Sequence, residues 1–251
     1  MSAHRGASAW APENTLAALD AAWRAGATLA EIDVQMTRDG QVVVMHDHAV
    51  NRTTTGRGYV KDLTLEELRT LDAGSWFAQK FQGERVPTLR EAIEWARGKL
   101  MLLVELKNYP FRELPLVDRT VELVDDLRAD GHVVLAGFDH VVLRDIKRRR
   151  PGWALEMIYN ARLADPVGAA RAAGASLISL EPEFALPEDI ELLHDAEMAV
   201  LTTVERPEDA PRLLSWGLDA LESGDPAMVA AAIRAAGVGL PTRRPENNRS
   251  A

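Results

Sequence analysis

The sequence predicts an α/β fold, a closed parallel barrel of eight strand–helix units. Three observations predict it. Short apolar runs alternate with longer amphipathic ones along 251 residues, as in chains that lay helices over a parallel sheet. Pro166, Pro187, Pro207 and Pro226 stand near the starts of amphipathic runs, where a missing backbone N–H costs little. Gly26, Gly131, Gly174, Gly217 and Gly237 follow such runs, as helix C-caps do, and an apolar strand comes next after the first four.

In chain order, Ser2–His4 reads as a first short strand and Thr15–Ala25 as the first helix. Thr28–Val34 is the second strand, with a continuation at Val42–His46. Helices are expected at Leu89–Arg97, Leu114–Ala129, Val141–Arg149, Pro166–Ala173, Pro187–Ala196, Pro207–Trp216 and Pro226–Ala236. The strands between them are Leu100–Glu105, Val133–Ala136, Ala154–Ile158, Leu177–Leu180, Ala199–Thr203 and Asp219–Leu221. About 40 residues separate His46 from the helix that begins near Thr88, a long connection of the kind that is often functional. It carries a short helix at Leu65–Leu71 and the aromatics Trp76, Phe77 and Phe81, whose default role is to pack this insertion onto the barrel. Residues 1–241 are expected to form one domain, with the insertion at about 47–87, and the polar, Pro-containing stretch 242–251 a frayed tail.

With 29 basic and 38 acidic residues the net charge is −9, which argues against a general nucleic-acid binder. It does not argue against an anionic small substrate, because a bound cation reverses the field locally. The chain has no cysteine, so disulfides, thiolate metal sites and a cysteine nucleophile are excluded. No apolar run approaches the length needed to span a bilayer, and no secretory signal opens the chain. A cytoplasmic protein is the expectation; oligomeric state is not legible.

Glu31 and Asp33 are two apart on one strand, so their carboxylates point to the same side. Glu105 closes another strand, and Lys107 shares its face. Three carboxylates gathered together are costly unless something positive joins them, and an all-oxygen set suits Mg²⁺ or Ca²⁺. His4 and His46 also lie at strand ends, and imidazole titrates near neutrality. The combination points to metal-assisted cleavage of a phosphate ester.

These residues belong to an ordered set: His4-Arg5-Gly6, Pro12-Glu13-Asn14-Thr15, Glu31-Ile32-Asp33, Thr37-Arg38-Asp39-Gly40, His46-Asp47 and Arg52-Thr53-Thr54. Asp62-Leu63-Thr64, Leu71-Asp72-Ala73-Gly74-Ser75, Val86-Pro87-Thr88-Leu89 and Glu105-Leu106-Lys107 continue it. The set resembles the glycerophosphodiester phosphodiesterase family, densely through residue 107 and more loosely afterwards. The resemblance implies a TIM-type (β/α)8 barrel with an insertion after the second barrel strand. It implies hydrolysis of a glycerophosphodiester to glycerol 3-phosphate and an alcohol, with Mg²⁺ or Ca²⁺. Its metal acids fall on Glu31, Asp33 and Glu105, its paired catalytic histidines on His4 and His46, and its phosphate contacts on Arg5 and Lys107. Two late runs depart from the family pattern. Thr202-Thr203-Val204-Glu205 stands for Trp-Thr-Val-Asn, which removes an expected pocket wall, and Leu221-Glu222-Ser223-Gly224-Asp225-Pro226 stands for an apolar-Thr-Asp-Pro run.

Residue by residue, Arg5 can offer two N–H groups to phosphate, and Lys107 either adds charge there or steadies Glu105. Glu181, at the end of the sixth barrel strand, and Phe138 are candidates to line the alcohol pocket. Asn14 and Thr15 open the first helix, so capping is their default role. His48 is expected to face solvent or hold the insertion. The alternatives are a lysophospholipase D-like or other phosphodiesterase on the same site, or a non-catalytic phosphate-ligand-binding barrel.

Overall fold

The computed structural model describes residues 1–109 and 113–237; the tail expected at 242–251 lies outside them. Eight strands run parallel around a closed barrel: β1 (Ser2–Ala3), β2 (Leu29–Met36), β4 (Met101–Leu106), β5 (Val133–Gly137), β6 (Leu155–Tyr159), β7 (Leu177–Leu180), β8 (Ala199–Thr203) and β9 (Ala220–Ser223). Closure rests on the two-residue β1, which pairs with β2 through Ser2↔Leu29 and with β9 through Ser2↔Glu222. The ninth strand, β3 (Val42–Val44), is antiparallel to β2 in the register Val34↔Val44. It therefore does not continue the second barrel strand, as expected from sequence. Arg38–Gly40 turn the chain back, with Gly40 at φ +77°, a left-handed conformation that glycine tolerates.

Helices α1 (Leu16–Arg24), α3 (Leu89–Ala96), α4 (Leu114–Asp126), α5 (His140–Arg149), α6 (Pro166–Ala173), α7 (Pro187–Asp195), α8 (Ala210–Ser215) and α9 (Pro226–Ala235) connect the strands. A short α2 (Leu65–Arg69) lies in the insertion. Their ends follow local chemistry. Thr88 and Glu91 form a reciprocal capping box on α3, and Asp139, Asp165 and Asp225 cap α5, α6 and α9. Pro207 opens a 3₁₀ turn ahead of α8 rather than the helix itself. Gly131 does not cap α4: that helix stops at Asp126 and Arg128 takes the left-handed conformation, at φ +49°.

Alternation divides each strand's side chains between two environments. One set, including Ile32, Val104, Leu135 and Leu155, packs under the helices in the main core. The other points into the barrel. Its lowest layer, Leu103, Val134, Leu201 and Ala220 with Leu29 and Leu177, forms an apolar plug. One residue pair further along the strands, the interior turns polar. The insertion has its own core of Val43, Met45, Val50, Val60, Leu68, Ala73 and Val86. Its aromatics meet edge to face, Trp76 against Phe77 and Phe77 against Phe81, each pair at 5.7 Å.

Candidate active site

Above the plug, at the C-terminal end of the strands, the barrel opens into a cavity of about 570 Å³. His4, Arg5, Glu31, His46, Glu105, Lys107, Phe138 and Glu181 line it. The structure thus brings eight of the nine residues singled out from sequence to one cavity. The ninth, Asp33, is 1% exposed and lies just behind the wall, bonded to Lys107 Nζ at 2.8 Å.

The loop after β1 is shaped for close approach. A Cβ on Gly6 would sit 2.7 Å from the Ala18 carbonyl carbon, and its φ is +76°, so only glycine fits against α1 there. Arg5 and Asn14 take left-handed conformations, at φ +54° and +59°, which cost energy outside glycine. Hydrogen bonds hold both in place. The Arg5 N–H donates to Glu31 Oε2 at 2.8 Å, and the Asn14 N–H donates to the Arg5 carbonyl at 3.0 Å. Capping of α1 falls to Thr15 alone. Asn14 instead brackets Asp33, its Nδ2 donating to Oδ2 at 2.7 Å and its Oδ1 accepting from the Asp33 N–H at 3.1 Å.

Carboxylate oxygens of Glu31, Asp33 and Glu105 come within 4.8 Å of one another, and Lys107 Nζ donates to Glu105 Oε1 at 2.6 Å. Burial, and then the neighbouring charge of Asp33, push Glu31 well above its ordinary value. Burial pushes Asp33 up too, but Lys107, His46 and Arg5 outweigh it and hold Asp33 low. Burial raises Glu105 despite Lys107. A divalent cation fits this donor set. Glu31 Oε1 is buried without a hydrogen-bond partner, a costly state that a cation would relieve. His4, Glu31 and Glu222 form a second such group.

His46 Nδ1 lies 2.7 Å from Asp47 Oδ1. Arg52 grips the other side of Asp47, Nε to Oδ2 at 2.8 Å, and reaches Glu13 at 2.7 and 2.8 Å. Glu13 also accepts from Arg5 Nη1 at 3.0 Å. Arg52 and then His46 hold Asp47 well below the usual carboxylate range. Burial lowers both imidazoles, His4 to about 4, where Arg5 adds to the effect. Both are therefore neutral near pH 7. Gln35, two residues on from Asp33 on the same face, fixes the His46 loop: its Nε2 donates to the carbonyls of Met45, His46 and Asp47 at 3.1, 3.0 and 2.5 Å. His48 bonds Gln35 Oε1 at 3.0 Å and the Tyr109 carbonyl at 3.3 Å, tying two loops together.

Sequence reasoning missed Glu156 and Glu222, both buried in the cavity floor. Burial, then Glu222 and Glu105, raise Glu156 to about 8; burial, with Asp33 and Glu105, raises Glu222 to about 7. The signal was an acid inside an apolar strand pattern. Of the run Thr202–Glu205, the cavity wall is Thr203, Val204 and Glu205. Thr202 is fully buried and donates to the Leu180 carbonyl at 2.6 Å, so the expected loss of a pocket wall does not fall at that position.

The cavity at the strand C-termini, where parallel barrels carry their active sites, thus gathers acids, two neutral imidazoles and two cations. The model of the glycerophosphoryl diester phosphodiesterase family matches residues 4–228. A glycerophosphodiester phosphodiesterase of Caldanaerobacter subterraneus subsp. tengcongensis is 37% identical over 239 residues, 94% of this chain and 98% of the relative. A phosphodiesterase structure from Oleispira antarctica, in complex with the product sn-glycerol-3-phosphate, superposes with a TM-score of 0.86 at 32% identity, covering 93% of this chain and 96% of that one. A glycerophosphodiester phosphodiesterase from Agrobacterium tumefaciens gives 0.81 at 28% identity, covering 92% and 98%. The chain belongs to the glycerophosphoryl diester phosphodiesterase family.

Proposed function

We propose that the protein hydrolyses small glycerophosphodiesters to glycerol 3-phosphate and an alcohol. The observation that carries this is the convergence, in one cavity, of the Glu31–Asp33–Glu105 group with His4, His46, Arg5 and Lys107. The relative from Oleispira antarctica, described with glycerol 3-phosphate as product, supports the same chemistry. Glu31, Asp33 and Glu105 would hold one divalent cation, Mg²⁺ or Ca²⁺, and it would supply a positive charge that polarises the phosphate and stabilises charge developing on its oxygens.

Formal charge is consistent with this. Three carboxylates, a +2 cation, Arg5 and Lys107 sum to +1, matching a singly charged diester. Arg5 and Lys107 orient the phosphate oxygens. His4 and His46 are both neutral, so either can take a proton from the attacking water or substrate hydroxyl, and the imidazolium so formed is the acid that delivers a proton to the leaving alcohol. His46 is the better proton acceptor, because Asp47 at its Nδ1 stabilises the imidazolium and Arg52 fixes Asp47. Glu181 and Phe138 face the alcohol. Residues 1–241 work as one catalytic domain. Among the described residues no helix is long and apolar enough to cross a membrane; the lack of cysteine favours work in a reducing compartment, the cytoplasm.

Release of glycerol 3-phosphate from a panel of glycerophosphodiesters, with chelator, Mg²⁺ and Ca²⁺ compared, tests the reading. Release restored by a cation is the expected result; no release with any cation from folded protein sinks it.

A further inference from the structure

In the Pro12-Glu13-Asn14-Thr15 run, Thr15 caps α1 and Asn14 brackets Asp33. Glu13 does neither. The chain is bent back here, with the Asn14 N–H on the Arg5 carbonyl at 3.0 Å. The Glu13 side chain, 11% exposed, lies between Arg5 of the loop after β1 and Arg52 of the insertion.

Its two oxygens are divided between these cations. Oε2 accepts from Arg52 Nη1 at 2.7 Å, and Oε1 accepts from Arg52 Nη2 at 2.8 Å and from Arg5 Nη1 at 3.0 Å. Arg52 also donates from Nε and Nη2 to Asp47, at 2.8 and 2.9 Å. Asp47 Oδ1 in turn meets His46 Nδ1 at 2.7 Å. A line of alternating charge, Arg5–Glu13–Arg52–Asp47, thus ends on the His46 imidazole. Two-pronged pairs of this kind fix direction as well as distance. Burial would raise the Glu13 carboxyl, but Arg52 and Arg5 outweigh it, so Glu13 is ionised near neutrality.

Arg5 depends on the same carboxylate. Among the described residues, Glu13 is the one hydrogen-bond acceptor that its guanidinium meets, and Nε is buried without a partner. Asp33 Oδ2 stands 3.6 Å from that Nε, too far for a hydrogen bond. Glu13 therefore sets how the guanidinium is turned in the cavity that Arg5 lines.

We propose that Glu13 is a positioning residue that couples two parts of the reaction: it aims Arg5 at the phosphate directly, and it holds the His46 imidazole through Arg52 and Asp47. This rests on the phosphodiesterase reading above. Glu13 is not one of the cavity's lining residues, so it acts through these partners. The two arms act on different constants. Arg5 contacts phosphate in the ground state as well as during cleavage, so misplacing it raises KM. His46 moves the proton, so loosening it lowers kcat. A mere loss of folded enzyme would lower the apparent kcat and leave KM unmoved.

The test is a double-mutant cycle on release of glycerol 3-phosphate from glycerophosphocholine, at saturating Mg²⁺ or Ca²⁺. It compares the wild type, Glu13→Gln, Arg52→Ala and the two together. Glutamine keeps the volume and removes the charge; it should raise KM about tenfold and lower kcat about tenfold. Arg52→Ala leaves Glu13 on Arg5 and should lower kcat alone. In the double variant KM should match that of Glu13→Gln. Its kcat should stay within about threefold of Arg52→Ala, because both changes reach His46 through Asp47. An unmoved KM in Glu13→Gln, or kcat losses that multiply in the double variant, overturns the proposal while leaving the phosphodiesterase reading intact. If Glu13→Gln does not fold, Glu13→Asp takes its place, since it keeps the charge but is too short to hold both arginines. It should move the same two constants by smaller factors, and an unmoved KM there overturns the proposal equally. Release of no glycerol 3-phosphate by the wild type overturns the phosphodiesterase reading, and this proposal with it.

Discussion

The two walls of the cavity are built on opposite electrostatic plans. On the β1–β4 side, acids and bases interlock: Asp33 with Lys107, Glu105 with Lys107, Glu13 with Arg5 and Arg52, Asp47 with Arg52 and His46. On the β6–β9 side the acids Glu156, Glu181, Glu205 and Glu222 have no cationic partner among the described residues, and Glu222 has only the Ser2 hydroxyl, at 2.7 Å. The first wall is held to one geometry by charge-assisted hydrogen bonds, which suits chemistry that needs fixed positions. The second gathers acids without cations, and burial raises Glu156 and Glu222 towards their neutral forms. Changes to the first wall should therefore lower turnover of every diester, and changes to the second should alter stability.

The largest break expected is Glu105→Ala. It should weaken Mg²⁺ or Ca²⁺ binding and reduce turnover together, by about 10³-fold in kcat/KM. Calorimetric titration with the cation beside an assay checks it, and unchanged cation affinity would remove Glu105 from the proposed donor set. His46→Ala should separate the two readouts: turnover falls by about 10²- to 10³-fold while cation affinity stays close to wild type. Near-normal turnover would take His46 out of the mechanism.

On the second wall, Glu156→Gln sharpens the contrast through pH. The Glu156 pKa is raised from 4.5 to about 8 in the folded state, so the folded protein holds this proton more tightly than the unfolded chain. Its neutral form is accommodated below about pH 4.5. Stability is then lost progressively as pH rises through 8, where the buried group must ionise. In chelator, the glutamine variant should therefore gain on wild type by about 4 kcal/mol between pH 5 and pH 9, read from urea midpoints at the two pH values. An equal difference at both would refute the buried-acid penalty. The smallest effect is expected of Arg52→Ala, which frees Asp47 and Glu13 without touching substrate. About a tenfold fall in kcat, with a shift in the pH profile of His46 and little change in KM, would mark a positioning role. A rise confined to KM would argue instead for direct contact with substrate.

Much of the first wall was legible in the chain. Glu31 and Asp33 on one face of β2, Glu105 and Lys107 on one face of β4, and His4 and His46 at strand ends all follow from period-two alternation and short-range order. Gln35 was within reach of the same rule and was passed over. The antiparallel return of β3 was not legible, because two short apolar runs in sequence do not say whether the chain reverses between them. Glu222 was visible as a departure from a pattern but not as a member of the site. Its neighbours Ser2 and Glu31 are distant in sequence and meet it only where β1 closes the barrel.

By itself, then, the sequence determined the alternation that sorts side chains inward and outward, the caps that start the helices, and the acids and histidines at strand ends. These are local properties, set by backbone geometry within a few residues. Tertiary structure alone decided which strand ends became neighbours. It set Arg52 of the insertion between Asp47 and Glu13, left Glu31 Oε1 buried without a partner, and brought Glu156 and Glu222 together in the floor of the cavity. Pairing across a closed barrel depends on register and closure, and electrostatic environment on how much water closure removes, and neither is written in the spacing of residues along a strand.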